Sequence, residues 1–143
     1  MVRREKMFCT DIVNEMNLEQ FAFKIPDQIF NPAARFNPRK AIDIMACLDG
    51  TFVAIEAKMI KVKKVKPESL LKPLRDDQRV CLGRVIKAKG FAFVVGKRFI
   101  PRKSEYYLVY FGMPSNMASA DIFYSVPDLI KGVKEFIQRF KTT

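Results

Sequence analysis

The sequence predicts an α/β fold, a β-sheet held between helices, built as one domain over residues 1–143. Three observations lead there. Apolar residues recur at helical spacing near both ends of the chain. Short runs rich in Val, Ile, Phe and Tyr lie between them. The central pair of runs is apolar on both faces, as strands covered from both sides are.

Residues 3–17 place Phe8, Ile12, Val13 and Met16 on one helical face. "FAFKI", residues 21–25, is a short strand, followed by a loop rich in Asn, Pro and Arg, "PDQIFNPAARFNPRK". "AIDIMACL" and "TFVAIEAK" are strands on either side of Asp49-Gly50, a strong hairpin signal. After the basic stretch "MIKVKKVKPESLLKPLR", Leu74, Cys81, Leu82, Val85 and Ile86 fit a helix to about Lys89, with Gly90 as its stop. "FAFVVG" and "YYLVYF" add two strands, and residues 112–126 carry no clear pattern. Pro127-Asp128 opens a last helix with Leu129, Ile130, Val133, Phe136, Ile137 and Phe140 inward.

Composition narrows the chemistry. Twenty-six Lys and Arg against 15 Asp and Glu leave a formal charge of +11 and point to a polyanionic partner, nucleic acid before membrane. Cys9, Cys47 and Cys81 are too scattered for a zinc site or a disulfide framework and are expected to be buried thiols. Histidine is absent, which excludes Ser-His-Asp and Cys-His catalysis and HExxH zinc sites. Any catalysis must use carboxylates, lysine, tyrosine or a metal on oxygen ligands. No apolar run reaches the roughly 18 residues of a membrane span. The N-terminus has no signal-peptide core, so a cytoplasmic location is expected.

The hairpin brings charges together. A two-residue turn at Asp49-Gly50 pairs position i with 99 − i, which sets Asp43 opposite Glu56 with Lys58 on the same face. The other face holds Ile42, Ile44, Ala46, Leu48, Val53, Ile55 and Ala57. Two carboxylates in such a place repel, and one would ordinarily take a proton. A divalent cation reverses that logic, since hard oxygen ligands suit magnesium or manganese. The structural alternative is a salt-bridged trio neutralised by Lys58.

Asp43, twelve intervening residues, then Glu56-Ala57-Lys58 on the next strand resembles the motif of the PD-(D/E)XK nuclease superfamily, with Ile42 where the family has proline. The two literal Pro-Asp pairs, Pro26-Asp27 and Pro127-Asp128, lie elsewhere. With Gln78 on the following helix and a basic chain, the arrangement over roughly residues 5–96 is most similar to Holliday-junction resolvases of the archaeal and phage type. The resemblance implies a restriction-endonuclease-like mixed sheet, and a metal-dependent DNA endonuclease that resolves four-way junctions by paired nicks as a homodimer. It implies Asp43, Glu56 and the Ala57 main-chain carbonyl as ligands of Mg²⁺, for which Mn²⁺ would substitute. Glu5 rather than Glu15 would be an added ligand from the first helix. Lys58 would orient the attacking water and Gln78 would touch water or phosphate. It further implies a prokaryotic or phage-encoded cytoplasmic enzyme. Lys61, Lys63, Lys64 and Lys66 leave the catalytic strand, and Arg35, Arg39 and Lys40 precede Asp43; both groups are expected to contact DNA phosphates. Lys97, Arg98, Arg102 and Lys103 form a second basic cluster with no assigned role. A restriction-like or repair nuclease on the same fold, and a nucleic-acid-binding protein without catalysis, are the alternative readings.

Overall fold

A computed structural model describes residues 3–26, 42–112 and 120–141. The elements run α1 (Arg3–Met16), β1 (Phe21–Lys24), β2 (Ile44–Leu48), β3 (Thr51–Ile60), α2 (Pro67–Leu71), α3 (Asp76–Lys87), β4 (Phe91–Ile100), β5 (Lys103–Tyr110), β6 (Asp121–Phe123) and α4 (Val126–Phe140). The six strands form one sheet in the order β1-β2-β3-β4-β5-β6. Every neighbouring pair is antiparallel except β3 and β4, which are parallel and joined through α2 and α3. The sheet is therefore mixed and flanked by helices, as predicted.

Each face carries its own core. Phe8, Ile12 and Met16 of α1 and Leu129, Val133 and Ile137 of α4 pack on Ile44, Val53, Ile55, Ala57, Phe93 and Val95. On the opposite face Leu70 of α2 and Leu82 of α3, with Leu74 between them, pack on Ala54, Ala92, Val94, Tyr107 and Val109. Coverage on both sides explains why β3 and β4 show no polar alternation. Tyr106 and Tyr107 are buried, which makes the "YYLVYF" run a core strand.

The hairpin register is the predicted one, with Ile44 opposite Ile55 and Leu48 opposite Thr51. Asp49 and Gly50 have φ of +52° and +75°, the left-handed pair that a two-residue turn matched to strand twist requires. α3 ends differently from the expectation. The left-handed residue is Lys89, at φ +73°, one position before Gly90. Gly90 serves a different need, because a Cβ there would come 2.9 Å from the Phe52 carbonyl. α4 starts as expected: Ser125 Oγ accepts from the Asp128 N–H at 3.2 Å, and Pro127 lies in the first turn.

Three other expectations change. α2 lies inside the stretch that reads as basic loop. Phe140, placed inward, is exposed, although its ring packs on Phe136 with centroids 4.5 Å apart. Cys9 is buried, but Cys81 is only half-buried and Cys47 is exposed.

Candidate active site

β3 carries the site because two ladders treat it differently. Its pairing with β4 continues through Glu56, Ala57 and Lys58 to Ile60, while its pairing with β2 stops at Ile44 and Ile55. Beyond that point the chain before β2 stays bonded to β1, where the Ile25 N–H donates to the Asp43 carbonyl at 2.7 Å. The Asp43 side chain takes over the vacated position: its Oδ2 accepts the Ala57 N–H at 2.9 Å. Asp43 is thus not a ladder partner of Glu56, as the simple register expects, but its carboxyl still arrives there. The same departure moves Ile42 from its expected face into the core under α2 and α3.

Asp43 is 4% exposed and Glu56 2%, and their carboxyl groups are hydrogen-bonded to each other. Such a bond requires a proton between them. Burial first, then the bond and the charge of Asp43, push Glu56 from an ordinary 4.5 up to about 9, against the opposing pull of Lys58 and Arg75. The pair therefore shares one proton, and the Glu56 carboxyl is held well above its ordinary range. Lys58 is half-buried two residues on, so it shares this face of β3.

α3 closes the other side. Gln78, 4% exposed, donates from Nε2 to Glu56 Oε2 at 2.6 Å, while its Oε1 accepts the Arg75 N–H at 2.9 Å. The second bond is half of a capping box, with Gln78 at the third helical position serving the N-cap residue. One amide side chain therefore locks the start of α3 and orients the buried carboxylate. Arg75, which the sequence analysis did not single out, stands at the rim. Its guanidinium pairs with Asp77 at 3.0 Å, and its charge acts on both Asp43 and Glu56. The position of Gln78 three residues after a helix cap was the available signal for it.

Not every expected residue joins the site. Glu5 is half-buried in the first turn of α1, the helix against the opposite face, and no group of three or more Asp, Glu, Cys or His that could hold a metal comes together among the described residues. Asp43 and Glu56 are a pair without it. Lys61, Lys63, Lys64 and Lys66 are exposed in the segment that leaves the carboxyl end of β3. Arg35, Arg39 and Lys40 lie outside the described residues. The second basic cluster is divided: Lys97 covers the Tyr106 ring and Lys103 the Tyr124 ring, while Arg98 turns inward to Glu105.

No family model and no curated protein matches this chain. Among solved structures it is similar to that of Archaeoglobus fulgidus Hjc, described as a Holliday junction resolvase from an archaeal hyperthermophile. The identity is 21%, with a TM-score of 0.49 over 90% of this chain and 98% of that one. Among the described residues no helix is long and apolar enough to cross a membrane.

Proposed function

We propose that the protein is a divalent-cation-dependent DNA endonuclease that resolves four-way junctions by paired nicks. The observation that carries this reading is the placement of Asp43 and Glu56. Two buried carboxyls meet where the β2–β3 ladder opens, with Lys58 on the same strand and an exposed basic segment directly after it. A sheet that only needed stability would be better served by apolar side chains here, since even a proton-sharing carboxyl pair is costly to take out of water.

The donor set fits a hard cation. Asp43 and Glu56 would hold Mg²⁺ or Mn²⁺ together with the Ala57 carbonyl, which points to the same side of β3 as the Ala57 N–H that meets Asp43. A magnesium ion is commonly held by one or two carboxylates, with water and substrate phosphate completing its shell, so no third acidic residue is required. When bound, it would supply a nucleophile near neutral pH and stabilise negative charge at the phosphate. The residues of the chain do the rest. Lys58 would orient the attacking water and offset charge developing on the phosphate oxygens. Gln78 fixes the Glu56 carboxylate. The lysines after β3 hold the DNA backbone without reading sequence. One such site per chain makes two symmetric cuts the work of a twofold homodimer.

The test supplies Mg²⁺ with four-way junction, linear duplex and single-stranded DNA. Wild type is expected to nick the junction in opposing strands. Asp43→Asn, Glu56→Gln and Lys58→Ala should each abolish cleavage and retain junction binding. Full activity in Asp43→Asn overturns the site. Equal cutting of junction and duplex by a monomer makes the protein a nickase, and binding without cutting makes it a non-catalytic binder.

A further inference from the structure

The basic segment after β3 has an anchor of its own. Arg98 lies on β4, on the same sheet face as Val94 and as the Glu56 side chain across the parallel ladder. Its Nε donates to Glu105 Oε1 at 2.8 Å, and a terminal nitrogen lies 2.7 Å from the same oxygen. The other terminal nitrogen donates to the Val62 carbonyl at 3.1 Å and also to the carbonyl of Lys63. Glu105 is buried, and it is held from its other neighbours by the Tyr107 hydroxyl at 3.0 Å and by Lys103 at 3.9 Å. A planar guanidinium with five donors can serve a carboxylate and two carbonyls at once, whereas an ammonium is a compact point charge.

From this geometry we infer that Arg98 is a positioning residue for polyanion binding: locked by Glu105 and Tyr107, it pins the backbone of residues 62–63 so that Lys61, Lys63 and Lys64 present their charges together at the carboxyl end of β3. The inference rests on the proposed DNA-binding reading for its ligand, but not for the pinning itself. Arg98 acts through the segment and does not touch the phosphates. Its guanidinium is committed to protein acceptors, and only 19% of the side chain is exposed.

Two variants separate positioning from stability. Arg98→Lys keeps a charge for Glu105 but loses the fork to the carbonyls; Arg98→Gln with Glu105→Gln removes both charges and avoids an unpaired buried carboxylate. Each is compared with wild type and with Lys61→Gln/Lys63→Gln/Lys64→Gln in binding to a four-way junction without Mg²⁺, alongside thermal melting and tryptic cleavage after Lys63 and Lys64 read by mass spectrometry. Arg98→Lys is expected to melt near wild type, to be cut faster in the segment, and to bind roughly tenfold more weakly, the loss of one or two phosphate contacts. Added to the triple Gln variant, Arg98→Lys should weaken binding no further, because it works only through those lysines. Wild-type affinity in a folded Arg98→Lys overturns the inference. So does full additivity with the triple variant, which would make Arg98 a direct contact. If wild type binds no DNA, the proposed function fails, and unchanged tryptic rates in both variants would separately overturn the pinning.

Discussion

Glu56 is the residue on which the proposed chemistry and the stability of this fold meet. Its carboxyl keeps a proton up to about 9 when no cation is present, against 4.5 in an unfolded chain. Between those values the folded state binds more protons than the unfolded state, so stability falls as pH rises. The contribution is fully present below about pH 4.5 and is lost as pH climbs through 9. In chelator, wild type should therefore melt several degrees lower at pH 9 than at pH 6, each 1 kcal/mol corresponding to roughly 2–8 °C in a domain of this size. Glu56→Gln should lose most of that slope. If the pair holds Mg²⁺ as proposed, the cation should raise the wild-type melting temperature more at pH 9 than at pH 6, because at pH 6 it must compete with the shared proton. Scanning calorimetry at the two pH values, with and without Mg²⁺, gives the comparison; a wild-type slope equal to that of Glu56→Gln rejects the raised affinity of the pair for a proton. The pairing of Asp43 with Glu56 was legible from the turn arithmetic around Asp49-Gly50. That Asp43 arrives by side chain rather than by ladder was not, since it depends on the β2–β3 ladder ending at Ile44 while the bond to Ile25 continues the pairing with β1. Arg75 was legible only as a helix cap three residues before Gln78, because its charge on the pair follows from how α3 packs.

Among the elements, α2 shows where pattern reading loses resolution. Its residues, Pro67–Leu71, make a single turn with one buried side chain, Leu70, too short for periodicity to register among the surrounding lysines. The longer elements α1, α3 and α4 repeat their apolar spacing several times and were legible to within a few residues. What seats α2 is Gly96, opposite Lys58 on the neighbouring strand. A Cβ at Gly96 would come 2.2 Å from Ile60 Cδ1 and 2.4 Å from Leu70 Cδ2, both on buried side chains. Gly96→Ala should therefore push α2 off the sheet and destabilise the protein by about 1–3 kcal/mol, the usual cost of overpacking. Urea melts measure the loss, and amide exchange across Leu70 and Leu71 should quicken more than across α4. Unchanged stability would mean that Ile60 and Leu70 can repack in place. Gln78 works at this scale too: it fastens the first turn of α3 and Glu56 with one side chain, so helix position and carboxylate orientation are set together.

For the whole molecule, the excess of positive charge is legible from composition, but its arrangement is not. A charge of +11 spread evenly and the same charge gathered at one end of the sheet predict similar solubility and different DNA binding. β3 and β4 run parallel, and Lys61, Lys63 and Lys64 follow the carboxyl end of β3, the end that lies beyond the Asp43–Glu56 pair. Arg84, Lys87 and Lys89 are equally exposed, but they precede the start of β4 and so lie toward the other end. Two triple Gln variants can therefore remove equal charge at opposite ends. Phosphate contacts release counterions, and the logarithm of the affinity falls with the logarithm of salt concentration by about one unit of slope per contact. Removing Lys61, Lys63 and Lys64 should flatten the slope for junction DNA by roughly two to three units, while removing Arg84, Lys87 and Lys89 should change it by less than about one. Long-range attraction is screened beyond about 8 Å at physiological ionic strength, so net charge alone cannot produce such a difference there. Fluorescence anisotropy titrations across a series of salt concentrations supply the slopes. Equal flattening by the two variants would show that the DNA meets the protein as a diffuse cation. The carboxyl end of β3 would then have no privileged hold on the backbone that the protein is proposed to cut.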